Sequence, residues 1–341
     1  MSTLHSYAIL EDRYDCLSEK KVVQLTIMLP GAGCAWAKKS GGCYMCGFSR
    51  STYRYTRGRL LPALVFKAML NKALAEAITA EIVAIYNGGS FLNPREIPAS
   101  IPTWLCDRIA RHPFVRQLFV ESRPEFVDPA LIQGMVASLG GKTLKVGIGL
   151  ECVSDIVREK CVHKGFSLED YEKAVDVLRN HDVRVLTYVL LKPVFLSEAE
   201  AIEEAVKTIG YAFKHGSDEV ALESSFVQED TIMHKLFQKG EFKPPWLWSI
   251  IEVVRRTYHF GFVQVGGFTD EPPPIAIPNN CPKCSSTILK ALQNFREQHD
   301  LIVFEGLRCE CQVEWQKELN KVYPLLEERI GNKSVTIGMC P

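Results

Sequence analysis

The chain has 341 residues, 47% apolar and 23% charged, with 40 basic and 40 acidic side chains. This composition supports a sizeable folded core and excludes a disordered chain. Zero net charge excludes a strong overall basic field for nucleic acid, though not a local basic patch. No window offers the ~18 uninterrupted apolar residues of a membrane span, and Met1–Lys20 lacks the apolar core of a secretory signal, so the expectation is a cytoplasmic protein with no membrane partner.

Residues 1–20 read as an N-terminal extension. Six short, apolar, Val- and Ile-rich runs then predict buried parallel strands: Val22–Met28, Glu81–Tyr86, Gln117–Glu121, Leu144–Leu150, Arg184–Leu191 and Asp218–Glu223. Helical patterns separate them. Ala63–Ala80 has apolar residues at helical spacing, and Ser167 and Ser197 open Ser-x-x-acid capping signatures before Tyr171–Leu178 and Ala201–Phe213. Alternating strands and helices predict an α/β fold with right-handed crossovers. Six units suit a partial (β/α)6 barrel, and a flat doubly wound sheet suits the periodicity equally well. Pro272, Pro273, Pro274 and Pro278 interrupt the pattern as a linker or covering loop. The expected organisation is therefore a barrel over residues 21–265 and a small cysteine-rich, metal-binding region over residues 266–341.

Twelve cysteines in an enzyme-sized chain expected in a reducing compartment read as metal ligands rather than disulfides. Cys16, Cys106, Cys152 and Cys161 are scattered and read as ordinary thiols, while Cys340 is ambiguous. Cys34, Cys43 and Cys46 follow the first strand with Cys-x8-Cys-x2-Cys spacing, among Gly31, Gly33, Gly41, Gly42 and Gly47. Three thiolates leave one iron of a 4Fe–4S cubane without a protein ligand, whereas electron carriers use four. The glycines let the backbone wrap closely and donate amides to sulfur. A zinc knuckle would want a fourth ligand nearby, and no His or Cys lies close downstream of Cys46.

In an α/β barrel the functional groups sit on loops after the strands. The second strand leads into Gly88-Gly89-Ser90, the third into Glu121-Ser122-Arg123-Pro124-Glu125, and the fourth ends at Glu151. Lys192 after the fifth strand, and Glu223 and Gln228 after the sixth, are candidate substrate contacts. Arg50, Tyr53, Arg54, Tyr55, Arg57 and Arg59 follow the cysteine loop directly. Arginine pairs with phosphate and tyrosine stacks on bases, so this stretch is a candidate RNA contact, with a solvated loop as the plain alternative. Cys281, Cys284, Cys309 and Cys311 are the inventory of a tetrahedral zinc site, and a second iron–sulfur cluster competes for the same four thiolates.

The Cys34–Cys46 loop resembles that of the radical S-adenosylmethionine (SAM) superfamily. Its long first spacer is similar to the branch containing the Elongator catalytic subunit. Gly-Cys-x-Trp-Ala-Lys-Lys with Gly-Gly-Cys-x-Met-Cys-Gly-Phe resembles more closely the archaeosine-forming radical SAM proteins of transfer RNA modification, and Glu121–Glu125 resembles the same branch. The resemblance implies that the free iron chelates the amino and carboxylate groups of SAM. It also implies that Gly88, Gly89 and Ser90 hold SAM together with Ser122, Arg123 and Glu151, although Ser90 stands where the superfamily carries Glu. The implied reaction splits SAM into methionine and a 5′-deoxyadenosyl radical, which takes a hydrogen from a lysine adduct on 7-deazaguanine in transfer RNA and leads to carbon–nitrogen cleavage. The implied partners are a lysine-transferring archaeosine synthase and a reductant such as ferredoxin or flavodoxin. A radical SAM enzyme acting on a small molecule or lipid, and a non-catalytic iron–sulfur or zinc scaffold, are the rival readings.

Overall fold

A computed structural model of the chain describes residues 2–268 and 273–331. One nine-stranded sheet runs in sequence order, from β1 (Ser2–His5), β2 (Ala8–Asp15) and β3 (Lys20–Met28) through β4 (Ile82–Tyr86), β5 (Gln117–Ser122), β6 (Thr143–Glu151), β7 (Arg184–Leu191) and β8 (Glu219–Ser224) to β9 (Phe262–Val265). The first two pairings are antiparallel and every pairing from β3 to β9 is parallel. The helices are α1 (Ala35–Ser40), α2 (Phe48–Thr56), α3 (Ala63–Glu76), α4 (Ile101–Ala110), α5 (Pro129–Ser138), α6 (Leu168–Asn180), α7 (Glu198–Lys214), α8 (Ile232–Gln238), α9 (Leu247–Thr257), α10 (Ser285–Gln298), α11 (Gln312–Leu319) and α12 (Leu326–Gly331).

The fold is the expected α/β partial barrel, with seven parallel strands. Six of its parallel strands coincide with the sequence expectation to within two residues. The seventh, β9, is only four residues long and follows Gly261, too short a run to register as a strand in the sequence. Residues 8–15 pair with β3 over eight positions, from Ala8 opposite Ile27 to Asp15 opposite Lys20, so the N-terminal segment is part of the sheet. Glu11 and Arg13 share the face of β2 that turns into the lumen, which hides the strand's alternation behind charge.

Outward-facing strand residues such as Leu25, Ile27, Val83, Ile85, Leu118 and Val120 pack against the buried faces of α3 to α6. Each such side chain contributes roughly 1.5–3 kcal/mol by leaving water. Ser167 and Ser197 do close capping boxes, with Asp170 and Glu200. Two local expectations change. Residues 48–56 form helix α2 instead of a loop, and α3 ends at Glu76, short of Ala80. Leu301–Phe304 is a 3-10 turn, because the Asp300 carboxylate accepts from the Ile302 amide and starts a helical turn.

The sheet does not close by strand pairing. At the N-terminal end of the parallel strands its two sides meet through rings: Tyr14 stacks on Phe262 at 5.8 Å, and Phe262 on His299 at 4.1 Å. Helix α10 packs against both β2 and β9 and fills the gap. The C-terminal ends of the strands stay open, and Ile275 and Ala276 bridge to Val227 there. Among the described residues no helix is long and apolar enough to cross a membrane.

Candidate active site

The cysteine loop leaves β3 and is pinned to the post-strand loops on three sides. Toward β4, the buried Glu96 carboxylate accepts from the backbone amides of Ala35 (2.9 Å) and Ser90 (2.6 Å) and from Asn93 Nδ2 (2.7 Å). Toward β6, Trp36 Nε1 donates to the His163 carbonyl at 2.8 Å, and the His163 ring lies between Trp36 (5.1 Å) and Tyr44 (5.3 Å). Gly165 lies flat beneath Trp36, where a Cβ would come within 2.1 Å of the indole. Toward β8, the Gly47 amide donates to Gln228 Oε1 at 2.8 Å, and the Met233 amide to the Tyr44 carbonyl at 3.0 Å.

This frame brings the half-buried Cys34, Cys43 and Cys46 within electrostatic reach of one another. Burial raises all three thiols, neighbouring sulfurs add to it for Cys34 and Cys46, and Cys46 is pushed up to about 12. Thiols raised in this way ionise only against a cation, so the set suits a positively charged metal centre that holds them as thiolates. Among the described residues, the Cys, His, Asp and Glu ligand atoms gathered within 4.8 Å of one another are those of Cys281, Cys284, Cys309 and Cys311. The three loop thiols are not gathered within that distance, as the ligands of one ion would be.

The other predicted site residues surround this loop. Gly88 has φ +64°, and a Cβ on Gly89 would meet Glu96 at 1.9 Å and the Cys34 Cα at 3.2 Å, so only glycine lets these strands of backbone touch. Ser90 Oγ accepts from the Arg123 amide at 3.1 Å, and Ser122 Oγ donates to the Arg123 carbonyl at 3.0 Å. Arg123 is buried. Its Nε donates to Glu125 at 2.6 Å, its Nη1 to the Lys164 carbonyl at 2.9 Å, and its guanidinium lies over the rings of Trp36 and Phe166. Lys164 Nζ in turn donates to Glu151 Oε1 at 2.7 Å.

Two features aim Glu151 into the mouth. The β6–β7 register shifts between Gly149 and Glu151, and Glu151 itself has φ +66°. Lys192, at the same end of β7, has φ +64° and pairs with Glu198 at 2.5 Å. Non-glycine residues held in this region cost of order 1–3 kcal/mol and cluster at functional sites. Four polar groups at the mouth are buried without a hydrogen-bond partner among the described residues: both side-chain atoms of Asn87, Arg123 Nη2, Ser224 Oγ and Gln228 Nε2. Native proteins leave few such groups, and a set of them after β4, β5 and β8 fits a polar small molecule lying at the barrel mouth.

Sequence reasoning missed Glu96 and Trp36 as organisers of the loop. Glu96 lies in an irregular Asn-Pro-Arg-Glu segment with no periodicity to mark it, and its role is set by backbone amides 61 and 6 positions away.

Tyr53, Arg54, Tyr55, Arg57 and Arg59 are exposed on or just beyond α2, Tyr55 at 83%, while Thr52 and Thr56 face inward. Arg54 pairs loosely with Glu229 at 3.8 Å. The Arg50 side chain and Cys340 lie outside the described residues.

Near the C-terminus, Cys281 lies 3.7 Å from Cys284 and 3.5 Å from Cys309, and Cys284 lies 3.5 Å from Cys311. Four thiolates ~2.3 Å from one tetrahedral ion stand ~3.8 Å apart, close to these distances, whereas a cubane would hold them further apart. Burial opposes ionisation of Cys281, but hydrogen bonds from Cys309, Cys284 and Cys311 bring it down to about 7. Trp248 Nε1 donates to Cys311 Sγ at 3.4 Å, and Trp315 Nε1 to Ser249 Oγ at 2.9 Å, which ties this centre to α9.

No family model matches the chain. Among curated proteins it is similar to archaeosine synthase subunit beta of Methanosarcina acetivorans, 32% identical over 89% of this chain and 87% of that one. It is also similar to archaeosine synthase subunit beta of Thermococcus kodakarensis, 28% identical over 89% of this chain and 93% of that one. Among solved structures it resembles an N-terminally truncated Elp3 of Methanocaldococcus infernus, with a TM-score of 0.50 and 18% identity over 76% of this chain and 62% of that one.

Proposed function

The chain belongs to the archaeosine synthase subunit beta family, and from that membership and the barrel mouth we propose that it is a radical SAM enzyme that cleaves a lysine adduct on 7-deazaguanine in transfer RNA to form archaeosine. The observation that carries the reading is the cysteine loop: three half-buried thiols within electrostatic reach of one another, on a loop pinned to three strand ends, beside unpartnered polar groups after β4, β5 and β8.

In this reading Cys34, Cys43 and Cys46 hold a 4Fe–4S cluster. Gly88 and Gly89 bring backbone close to SAM, Ser90 and Ser122 fix the Arg123 backbone, and the Arg123 Nη2 and Glu151 groups face its charged ends. With one electron from a reductant such as ferredoxin or flavodoxin, the loaded centre supplies a carbon radical strong enough to take hydrogen from an unactivated carbon. The protein's part is placement. Trp36, His163, Tyr44 and Phe166 wall the mouth against water, the Glu151–Lys164 pair holds its charges fixed, and the exposed Arg54, Arg57 and Arg59 on and just beyond α2 lay RNA phosphates beside it. Hydrogen loss from the lysine part labilises its carbon–nitrogen bond and leaves nitrogen on the base as the formamidine of archaeosine. A lysine-transferring synthase must act first and is the expected partner. Cys281, Cys284, Cys309 and Cys311 take one zinc ion, in keeping with their short sulfur separations.

Anaerobic reconstitution, incubation with SAM and lysine-bearing transfer RNA, and mass spectrometry of the digested RNA test this. Archaeosine should appear only in the presence of SAM. Unchanged lysine-bearing nucleoside with a fully loaded cluster would refute the assignment of substrate. A small-molecule enzyme would in addition show no salt-dependent affinity for transfer RNA.

A further inference from the structure

Below the mouth, the lumen carries a second polar group that the cofactor residues do not use. Arg13 rises from β2, partly buried, with its Nε 3.6 Å from Glu11 Oε1. Glu11 is itself anchored, accepting from Thr26 Oγ1 at 2.9 Å and from Gln24 Nε2 at 3.3 Å. Glu223, Tyr86 and Tyr188 lie within electrostatic reach of the guanidinium. The Nη groups of Arg13 have no hydrogen-bond partner among the described residues, although a guanidinium in such a setting seeks planar, two-point acceptors. Across the lumen the Glu223 carboxylate lies against Gly266, where a Cβ would come within 1.8 Å of Oε2, so the glycine keeps room for that carboxylate. Between these charges and the cluster loop stand the Tyr86 and Tyr188 rings, with Tyr86 edge-on to Phe119 at 5.8 Å, and Tyr188 bonded to Glu121. Glu121 lies within electrostatic reach of Lys164 and Glu151, and Lys164 within reach of Cys43, so charged groups follow one another from the tyrosines to the cysteine loop.

We propose that this chamber binds the α-amino acid head of the substrate's lysine, with Arg13 receiving the α-carboxylate, Glu223 the α-ammonium, and the two tyrosine rings the methylene chain. The proposal rests on the function assigned above and specifies how the adduct is held. One cation and several carboxylates in a pocket with an apolar waist fit a ligand that carries a carboxylate, more than one positive charge and a flexible apolar stem. A nucleobase alone would supply neither charged end. Gripping the far end of the lysine fixes which of its carbons lies beside the cluster, and position along the chain decides which hydrogen is taken. Arg13 and Glu223 are therefore specificity-determining residues on β2 and β8, each strand next to an edge of the sheet.

The test compares the affinity of the reconstituted protein for transfer RNA bearing the lysine adduct with that for the same RNA lacking the lysine. Wild type should prefer the lysine-bearing RNA by about tenfold or more, the scale of charge-assisted contacts to a buried pair. R13M and the near-isosteric E223Q should each remove most of that preference, leave the affinity for lysine-free RNA unchanged and keep full iron content, and R13K should recover part of it. If R13M fails to fold, E223Q decides alone. Variants that keep the wild-type preference overturn the lysine-head site while leaving the proposed function standing. A wild type that neither prefers nor converts lysine-bearing RNA overturns the function, and this site with it.

Discussion

Replacing Glu96 by alanine tests whether the cysteine loop is held by the β4 loop. The carboxylate accepts from two backbone amides, Ala35 and Ser90, and from Asn93 Nδ2, the last two buried and the first half-buried. E96A leaves those donors buried without acceptors. An orphaned buried donor costs about 1–3 kcal/mol, so two amides alone give a loss of roughly 2–6 kcal/mol. E96Q keeps one acceptor oxygen but turns an amide N–H toward a donor, and should cost about half as much. Because Ala35 adjoins Cys34 directly, the loss falls on the loop proposed to hold the metal, and cluster loading should fail before the barrel unfolds. Denaturant titration followed by far-ultraviolet circular dichroism, beside the ~400 nm absorbance and iron content of the reconstituted protein, reads both effects. An E96A protein that keeps its iron and loses less than about 0.5 kcal/mol would refute the clamp.

Three further outcomes follow from the same structure. Burial pushes the Glu121 carboxyl up to about 7 from its ordinary 4.5, against the hydrogen bond from Tyr188 and the charge of Lys164. The folded state therefore holds this proton more tightly than the unfolded one, so its stabilising effect is complete at low pH and is lost as pH rises from about 4.5 to about 7. E121Q should thus gain on wild type by up to about 3 kcal/mol across that window, and parallel pH–stability curves would contradict it. Metal analysis should find one zinc in addition to the iron of one cluster. C311S should lose the zinc and destabilise the packing of α10 and α11 on α9 while leaving the loop cluster loaded, and a protein with no zinc would exclude the single-ion site. Replacing Arg50, Arg54, Arg57 and Arg59 by alanine should weaken transfer RNA binding broadly and flatten its salt dependence by up to about four phosphate contacts, with iron content unchanged, and full affinity across salt would remove α2 from the interface.

The parallel strands were legible because burial on both faces writes them as unbroken Val- and Ile-rich runs. The capping boxes of α6 and α7 were legible because they are local, each joining a serine to an acid three residues on. What escaped reading depends on distant partners. β2 looks polar because Glu11 and Arg13 face a polar lumen, and β9 owes its existence to pairing with β8 over only four positions. The same holds within the site. Cys34, Cys43 and Cys46 announce themselves by spacing, and Arg123 and Glu151 by their places at strand ends. Glu96, Trp36 and Gly165 matter only because the loop after β3 touches the loops after β4 and β6, and Trp36 and Gly165 are 129 positions apart in a sequence that gives no sign they meet.

The central claim is that the loop built on Cys34, Cys43 and Cys46 directs hydrogen abstraction from the lysine portion of a transfer RNA. Transfer RNA charged with side-chain-deuterated lysine, incubated anaerobically with the reconstituted protein, SAM and a reductant, addresses it directly. The account predicts deuterium in the 5′-deoxyadenosine that is released, in step with archaeosine formation, and none with the C34A variant. Archaeosine formed with no deuterium transfer, or 5′-deoxyadenosine released unlabelled at the same rate whether or not the RNA carries lysine, would contradict it.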